Sequence, residues 1–283
     1  MIDRYREQYP VRMMCRVLEV APSAYYAYRN RPRSERELED QLILKQIRLI
    51  HASFRRAYGS PRMTRELKNR GHRCGRHRVA RLMAQNLLWA RQRKRFRRTT
   101  DSNHGQPVAP NLLDRKFAVE RPNEVWVSDI TYIWTAEGWL YLAVTLDLFA
   151  RAVVGWAMSE HVDTELALGA LRMAIDRRRP PAGLLHHSDR GSTYAANAFQ
   201  EELSLRGMVP SMSRKGNCWD NAVAESFFSG LKLEWLRDQK HDTRAAGRLD
   251  VFEYIEIFYN TKRLHSTLAY RTPAEVDAAF SHV

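Results

Sequence analysis

The pattern of this 283-residue chain changes kind at Val125, and that change limits the possible folds more than any other feature. Three successive runs, Val125–Trp134, Trp139–Asp147 and Arg151–Ser159, are rich in Val, Ile, Tyr, Trp and Thr, the residues that fit a pleated, half-buried surface. Ala136-Glu137-Gly138 and a short turn after Asp147 separate them, so they predict an antiparallel meander. A helix is predicted from Asp163 or Thr164 to Arg178, with Leu166, Ala170, Leu171, Ala174 and Ile175 along one face and Pro180-Pro181 as its stop. There follow a strand at Leu184–Ser188, a helix over 195–206, a strand at Met208–Met212 and a helix over 220–237. Helical segments at 243–259 and 273–280 finish the chain. The expectation is an α/β unit with a five-stranded mixed sheet.

Ahead of Val125 the periodicity is helical. Residues 1–31 predict a short helix, a turn and the start of a second helix through Tyr25 and Tyr28. Ser34 with Glu37 forms a capping-box pair, followed by Leu38, Leu42, Ile47, Ile50 and Phe54 as the expected buried stripe. Ser60 is the expected N-cap of the next helix and Pro61 its first residue, with Met63 and Leu67 inward. Gly71 breaks it, and a further helix is expected over 75–86 with Val79, Leu82 and Met83 inward. Two short helices around a Gly-containing break read as a helix-turn-helix, or as an ordinary hairpin with a solvated basic face. On the helix-turn-helix reading, Arg76, Arg78 and Arg81 face DNA.

Charge divides the chain at the same place. The net charge is +14, with about +18 in residues 1–116 and about −4 in residues 117–283. Six cations within Arg91–Arg98, among them Arg93, Lys94 and Arg95, repel one another unless a polyanion lies between them. A nucleic-acid-binding front joined to a different back half is the expectation. Three distant cysteines, Cys15, Cys74 and Cys218, argue against a disulfide framework. His72, Cys74 and His77 are too few for a zinc site at the usual spacing. No stretch is apolar for long enough to cross a membrane, and a reducing cytoplasm is the expected setting. The expected units are a helical segment at 1–33, a helix-turn-helix region with a basic tail at 34–100, a polar linker at 101–116, an α/β core at 117–240 and a helical extension at 241–283.

Three carboxylates sit where structure alone does not call for them. Asp129 interrupts an apolar strand, Asp189 follows the strand 184–188, and Glu225 lies on the last core helix among Val223, Phe227 and Leu231. The order βββαβαβα is the ribonuclease-H-like layout, which brings the first strand, the fourth strand and the final helix to one end of the sheet. Like charges meeting there need cations between them, and all-oxygen donors suit Mg²⁺ or Mn²⁺. Each acid alone also has a structural reading, a turn cap for a strand Asp and a solvated side chain for a helical Glu. Asp220 is expected to be a helix N-cap and Asp147 a turn residue at a strand end.

Asp189 and Glu225 have 35 residues between them, and with the upstream strand Asp this resembles the DD(35)E pattern of retroviral integrases and related transposases. The words around the acids are similar to those of the second-frame transposase of the insertion-sequence-three family: Trp126–Thr131, His187–Ser192, Ser213–Phe228, Tyr259–His265 and Tyr270–Glu275. The resemblance runs over essentially the whole chain. It implies DNA strand cleavage and 3′-OH strand transfer at element ends with two divalent metal ions on Asp129, Asp189 and Glu225. It also implies that Lys232, seven residues after Glu225, holds the DNA end, with a surface lysine as the plain alternative. His187 is a candidate to orient the scissile phosphate or support a ligand, or else a histidine satisfied in the core. Arg214, Lys215 and Asn217 are candidate DNA contacts in the loop before the last helix. The implied partners are double-stranded DNA, further copies of the chain on that DNA, and an upstream-frame protein fused ahead of it by frameshifting. A nucleoid-associated bacterial protein follows from this. A non-catalytic DNA-binding regulator and a ribonuclease H or junction nuclease are the alternatives.

Overall fold

The computed structural model describes residues 1–91, 107–214 and 218–281. Helices fill the front: α1 Ile2–Tyr5, α2 Val11–Val17, α3 Pro22–Asn30, α4 Glu35–Ser53, α5 Ser60–Asn69 and α6 Arg76–Gln85. The Ser34–Glu37 capping box is present, with each residue's backbone N–H donating to the other's side chain at 2.8 and 3.3 Å. Gly59, not Ser60, is the N-cap of α5, and Pro61 is its second residue, where a missing N–H still costs nothing.

One expectation for α4 is corrected. Its buried stripe is Ile43, Ile47 and Ile50, continued by Phe54, while Leu38 and Leu42 are 49% and 64% exposed. Ile43 lies seven residues before Ile50, so the stripe keeps helical spacing. The sequence carries a second apolar row, Leu38, Leu42 and Leu49, on the outward side, and periodicity alone does not choose between them.

Among the described residues, five strands form one sheet in the order β3-β2-β1-β4-β5. They are β1 Val125–Thr135, β2 Gly138–Asp147, β3 Val153–Ser159, β4 Leu185–Ser188 and β5 Val209–Met212. β1 pairs antiparallel with β2 and β2 with β3, whereas β4 is parallel to both β1 and β5. This is the mixed sheet expected. α7 Thr164–Arg178 crosses from β3 to β4, and α8 Ser192–Ala195 with α9 Asn197–Leu205 crosses from β4 to β5. The helix expected over 195–206 is thus interrupted at Ala196, whose backbone is extended. After β5 a 3₁₀ turn, Cys218–Asn221, leads into α10 Ala222–Gly230, which continues as a π-helical stretch over Leu231–Leu236. α11 Arg244–Phe252 also runs on as π-helix over Glu253–Tyr259, and α12 Pro273–Ser281 closes the chain.

The two faces of the sheet bury different helices, as alternation along β1 requires. Val127 and Ile133 face the cluster that holds Phe227, Leu231 and Tyr254, and Trp126 faces the cluster that holds Leu168, Leu171 and Phe199. α7 lies so close to β3 that a Cβ on Gly155 would meet the Ala170 carbonyl oxygen at 2.1 Å. Only glycine fits there.

Helices α4 to α6 are not a separate bead. Ile47, Ile50, Phe54, Tyr58 and Met63 belong to the same apolar cluster as Tyr254, Phe258 and Leu264. The Tyr58 hydroxyl donates to the Lys262 carbonyl at 3.1 Å and accepts from the Leu264 N–H at 2.9 Å. The stretch expected to be a polar linker is built in where it is described. Leu113 is buried, and the Leu112 N–H donates to Ser211 Oγ on β5 at 2.9 Å.

Candidate active site

β4 is short and pairs with β1 only over Val125–Val127. Among the described residues, no strand lies on the β4 side of β1 beyond that point. The Asn221 side-chain amide, at the mouth of α10, donates to the Ser128 carbonyl at 3.1 Å and satisfies that edge. Asp129 comes next on the strand. It is partly buried, and its Oδ1 accepts the N–H of Ile130 at 2.8 Å. Burial pushes its carboxyl well above the ordinary range, the charges of Asp189 and Glu225 push it further, and Lys232 opposes them only weakly. Asp129, on the first strand, thus feels the charges of Asp189, past the fourth strand, and of Glu225, on the last core helix.

Asp189 lies just past β4, half-buried, and its Oδ1 accepts the Gly191 N–H at 2.9 Å. A Cβ on Gly191 would come within 3.0 Å of that oxygen, so a glycine lets the turn close on the carboxylate. Glu225 is exposed on the first turn of α10. Lys232 is half-buried, and its ammonium lies 4.6 Å from the centre of the Tyr132 ring. Burial lowers its pKa, while the charge of Asp129 draws it back up.

Among the described residues, no three His, Cys, Asp or Glu side chains are gathered tightly enough to hold a metal ion as they stand. This includes His72, Cys74 and His77. The chemistry of the donors at the sheet end nevertheless suits a hard cation. All three groups are carboxylates, and the like-charge strain on Asp129 is what a cation between them would relieve.

Other expected contacts are used up structurally. Both ring nitrogens of His187 are engaged, Nδ1 with Ser211 Oγ at 2.8 Å and Nε2 with Ser213 Oγ at 3.1 Å. The ring is fully buried, and burial lowers its pKa to about 4. It is a core histidine and does not face a phosphate. Asp220 is not an N-cap, because Asn221 holds that position without a side-chain cap. Instead it is a buried hub that accepts from Arg214 at 2.9 and 3.0 Å, from Arg115 at 3.1 Å and from Asn111 at 2.9 Å. The Arg214 guanidinium leads the causes that hold its carboxyl far below the usual range. Arg214, expected as a DNA contact, is therefore tied to Asp220 six residues on.

In the front helices, Arg78 and Arg81 grip α4. Arg78 reaches Asp40 at 2.6 Å and Glu39 at 3.0 Å, and Arg81 reaches Asp40 at 2.6 Å. Arg76 remains exposed. Arg91, at the start of the basic run, donates to Asp238 at 2.7 Å and to the Leu233 carbonyl at 3.0 Å. Arg93, Lys94, Arg95, Lys215 and Asn217 lie outside the described residues. Asp147 keeps its expected role, accepting the N–H groups of Asn123 and Phe149 at 2.7 and 2.8 Å.

Sequence reasoning missed two features. Arg263 makes a bidentate pair with Glu234 at 2.6 and 2.7 Å, joined by Arg62 of α5 at 3.2 Å. Tyr132, Trp134 and Trp139 stand exposed at the open end of the β1–β2 hairpin. Aromatics at alternate positions facing a solvated side were the available signal for the second.

With this geometry in view, the comparisons with known proteins fall into place. The Integrase core domain family matches residues 119–218 and again 206–273, and the HTH-like domain family matches residues 37–96. The "Insertion element IS600 uncharacterized 31 kDa protein" of Shigella sonnei is 46% identical over 92% of this chain and 96% of its own length. "Transposase InsF for insertion sequence IS3A" of Escherichia coli K12 is 38% identical over 98% of this chain and 96% of its own. Among solved structures, the chain is similar to the HTLV-2 integrase catalytic core domain, with 17% identity and a TM-score of 0.41 over 55% of this chain and 97% of that one.

Proposed function

The chain belongs to the insertion-sequence-three (IS3) family of transposases, and on that premise we propose that it cuts DNA at the ends of a mobile element and joins the freed 3′-OH to another strand, with Asp129, Asp189 and Glu225 as the acting carboxylates. The observation that carries the reading is the place of Asp129, half-buried on β1 just past its pairing with β4, where the charges of Asp189 and Glu225 reach it. Structure alone gains nothing from pushing three like charges toward one sheet end. Mg²⁺ or Mn²⁺ ions, two per site, are the cations these oxygens fit; bound there, they would lower the pKa of the attacking water or 3′-OH and stabilise the leaving oxygen.

The protein's own groups would do the rest. The Gly191 N–H fixes the orientation of Asp189, and Asn221 pins the strand edge beside Asp129. Lys232, whose ammonium lies over the Tyr132 ring, would hold a phosphate of the DNA end next to Asp129. Arg76 and the basic run from Arg93 would supply contacts to the duplex backbone. The active species would be an oligomer on DNA, with an upstream-frame protein fused ahead of this chain to add end recognition.

The test is strand cleavage and joining on DNA carrying element ends, with Mg²⁺ or Mn²⁺. Asp129→Asn, Asp189→Asn and Glu225→Gln should each abolish both steps while DNA binding persists. Near-normal cleavage by any one of them removes that residue from the set. Comparing this chain with its upstream-frame fusion on the same DNA tests the partner; equal joining by the two would remove the need for it.

A further inference from the structure

Contiguous exposed apolar patches mark interaction sites more often than single exposed rings do, and the open end of the β1–β2 hairpin displays three aromatics together. Tyr132, Trp134 and Trp139 are 38%, 61% and 42% exposed. Trp139 packs edge-to-face with both of the others, at centroid distances of 5.0 and 4.8 Å. The rings are thus held in place by one another while each stays partly exposed. They line a cleft of about 600 Å³ whose far wall is the end of the π-helical stretch after α10 and the turn that follows it. That wall brings cations: Lys232, Arg237 and Lys240, against the single acid Asp242. The cleft is joined to the carboxylates by Lys232, whose ammonium lies over Tyr132 and interacts electrostatically with Asp129. Tyr132 follows Asp129 by three strand residues, a rise of about 10 Å.

An aromatic cleft with a cationic rim has the chemistry of a site for unpaired nucleotides. Every base offers a π-face to a ring, and the backbone phosphates follow the cations. A duplex hides its base faces, so it gains nothing from the rings. We propose that this cleft stacks one or two unpaired bases of the DNA strand that passes the carboxylates, and so holds the end of the element frayed beside them. The inference rests on the strand-transfer reading above and adds to it a preference for DNA with an unpaired end.

The experiment compares the full chain's affinity for a blunt duplex with its affinity for the same duplex bearing a short oligo-dT overhang, by fluorescence anisotropy. The overhang should bind about tenfold more tightly, the order that one stacked base contributes. In the Trp134→Ala/Trp139→Ala variant this preference should vanish while blunt-duplex affinity stays unchanged. The Trp134→Phe/Trp139→Phe variant, which keeps flat rings and guards against a folding artefact, should retain most of it. An undiminished preference in the Ala variant, or equal binding of the two DNAs by the wild type, overturns the cleft as a stacking site and leaves the strand-transfer reading standing. A variant that loses only self-association assigns the rings to a protein contact and overturns it too. Failure of the wild type to bind either duplex overturns the underlying reading and this inference with it.

Discussion

Two glutamates nine residues apart on one continuous helical run differ in burial and in what their charges act on. Glu234 is buried, and its carboxylate is gripped by Arg263 from the C-terminal segment and Arg62 from α5. Glu225 is exposed, and its charge adds to the strain on Asp129 along with that of Asp189. Asp220, a few residues earlier, resembles Glu234, with Arg214 and Arg115 around it. The difference separates acids that hold the fold from acids that burden it. A carboxylate balanced by guanidinium groups is costly to remove, because its partners are left unpaired; a cluster of carboxylates costs stability and points to a functional site.

Neutralising substitutions should split along that line. The largest effect is expected at the sheet end, where Asp129→Asn should lower the joining rate by at least about a thousandfold, as the loss of several kcal/mol of transition-state stabilisation requires. In metal-free buffer the same variant should melt at or above the wild-type temperature, because its charged form is disfavoured in the folded state. A clear fall in its melting temperature would place Asp129 with the structural acids.

On the other side, Glu234→Gln should cost about 3 kcal/mol, since it leaves Arg263 buried without its charge partner. Denaturant unfolding measures this directly, and a loss under about 1 kcal/mol would break the comparison. Asp220→Asn should cost less, about 2 kcal/mol, because its arginine partners are partly solvated. It has a pH signature. The folded carboxyl is held below its unfolded value, so its stabilisation is present above about pH 4 and is lost as pH falls below that. The wild type should therefore lose stability more steeply than Asp220→Asn on acidification below that point.

His187 acts earlier in the same titration. Burial lowers its folded pKa to about 4, so the unfolded chain takes up a proton that the fold refuses. Stability should begin to fall as pH drops below about 6.5. A flat profile between pH 6.5 and 4 would contradict its buried, doubly engaged position.

The smallest effect concerns the front helices. Arg76→Ala should reduce the log–log salt slope of DNA binding by about 0.9, the share of one phosphate contact. Arg78→Ala should instead loosen α6 from α4, because its partners are Glu39 and Asp40. The full chain is the right object for this comparison, since a front fragment would expose Phe54 and Tyr58, which pack against Phe258 and Leu264.

Much of this was visible in the residues. Each strand was placed within two positions, because β-branched and aromatic runs bounded by turns leave little choice; β3 starts at Val153 and not at 151 because Arg151 takes a left-handed turn conformation. Asp129 stood out because it interrupts an apolar strand, and Asp189 and Glu225 because 35 residues lie between them. What stayed hidden depends on long-range pairing. Nothing near Arg78 announces that its partners lie 38 and 39 residues back. Nor does the spacing of Tyr58 reveal that it docks on a loop 204 residues later. His187 looked available because its serine partners come from another strand and the loop after it.

The most direct test uses the two glutamates as each other's control. Glu225→Gln and Glu234→Gln are prepared in whichever form joins element ends, this chain or its upstream-frame fusion, and strand joining and thermal stability are measured on both. The account predicts that Glu225→Gln keeps its melting temperature and its DNA binding and joins no strands, while Glu234→Gln loses stability and, below its lowered melting point, still joins them. Strand joining by Glu225→Gln at a rate near that of the wild type would contradict it.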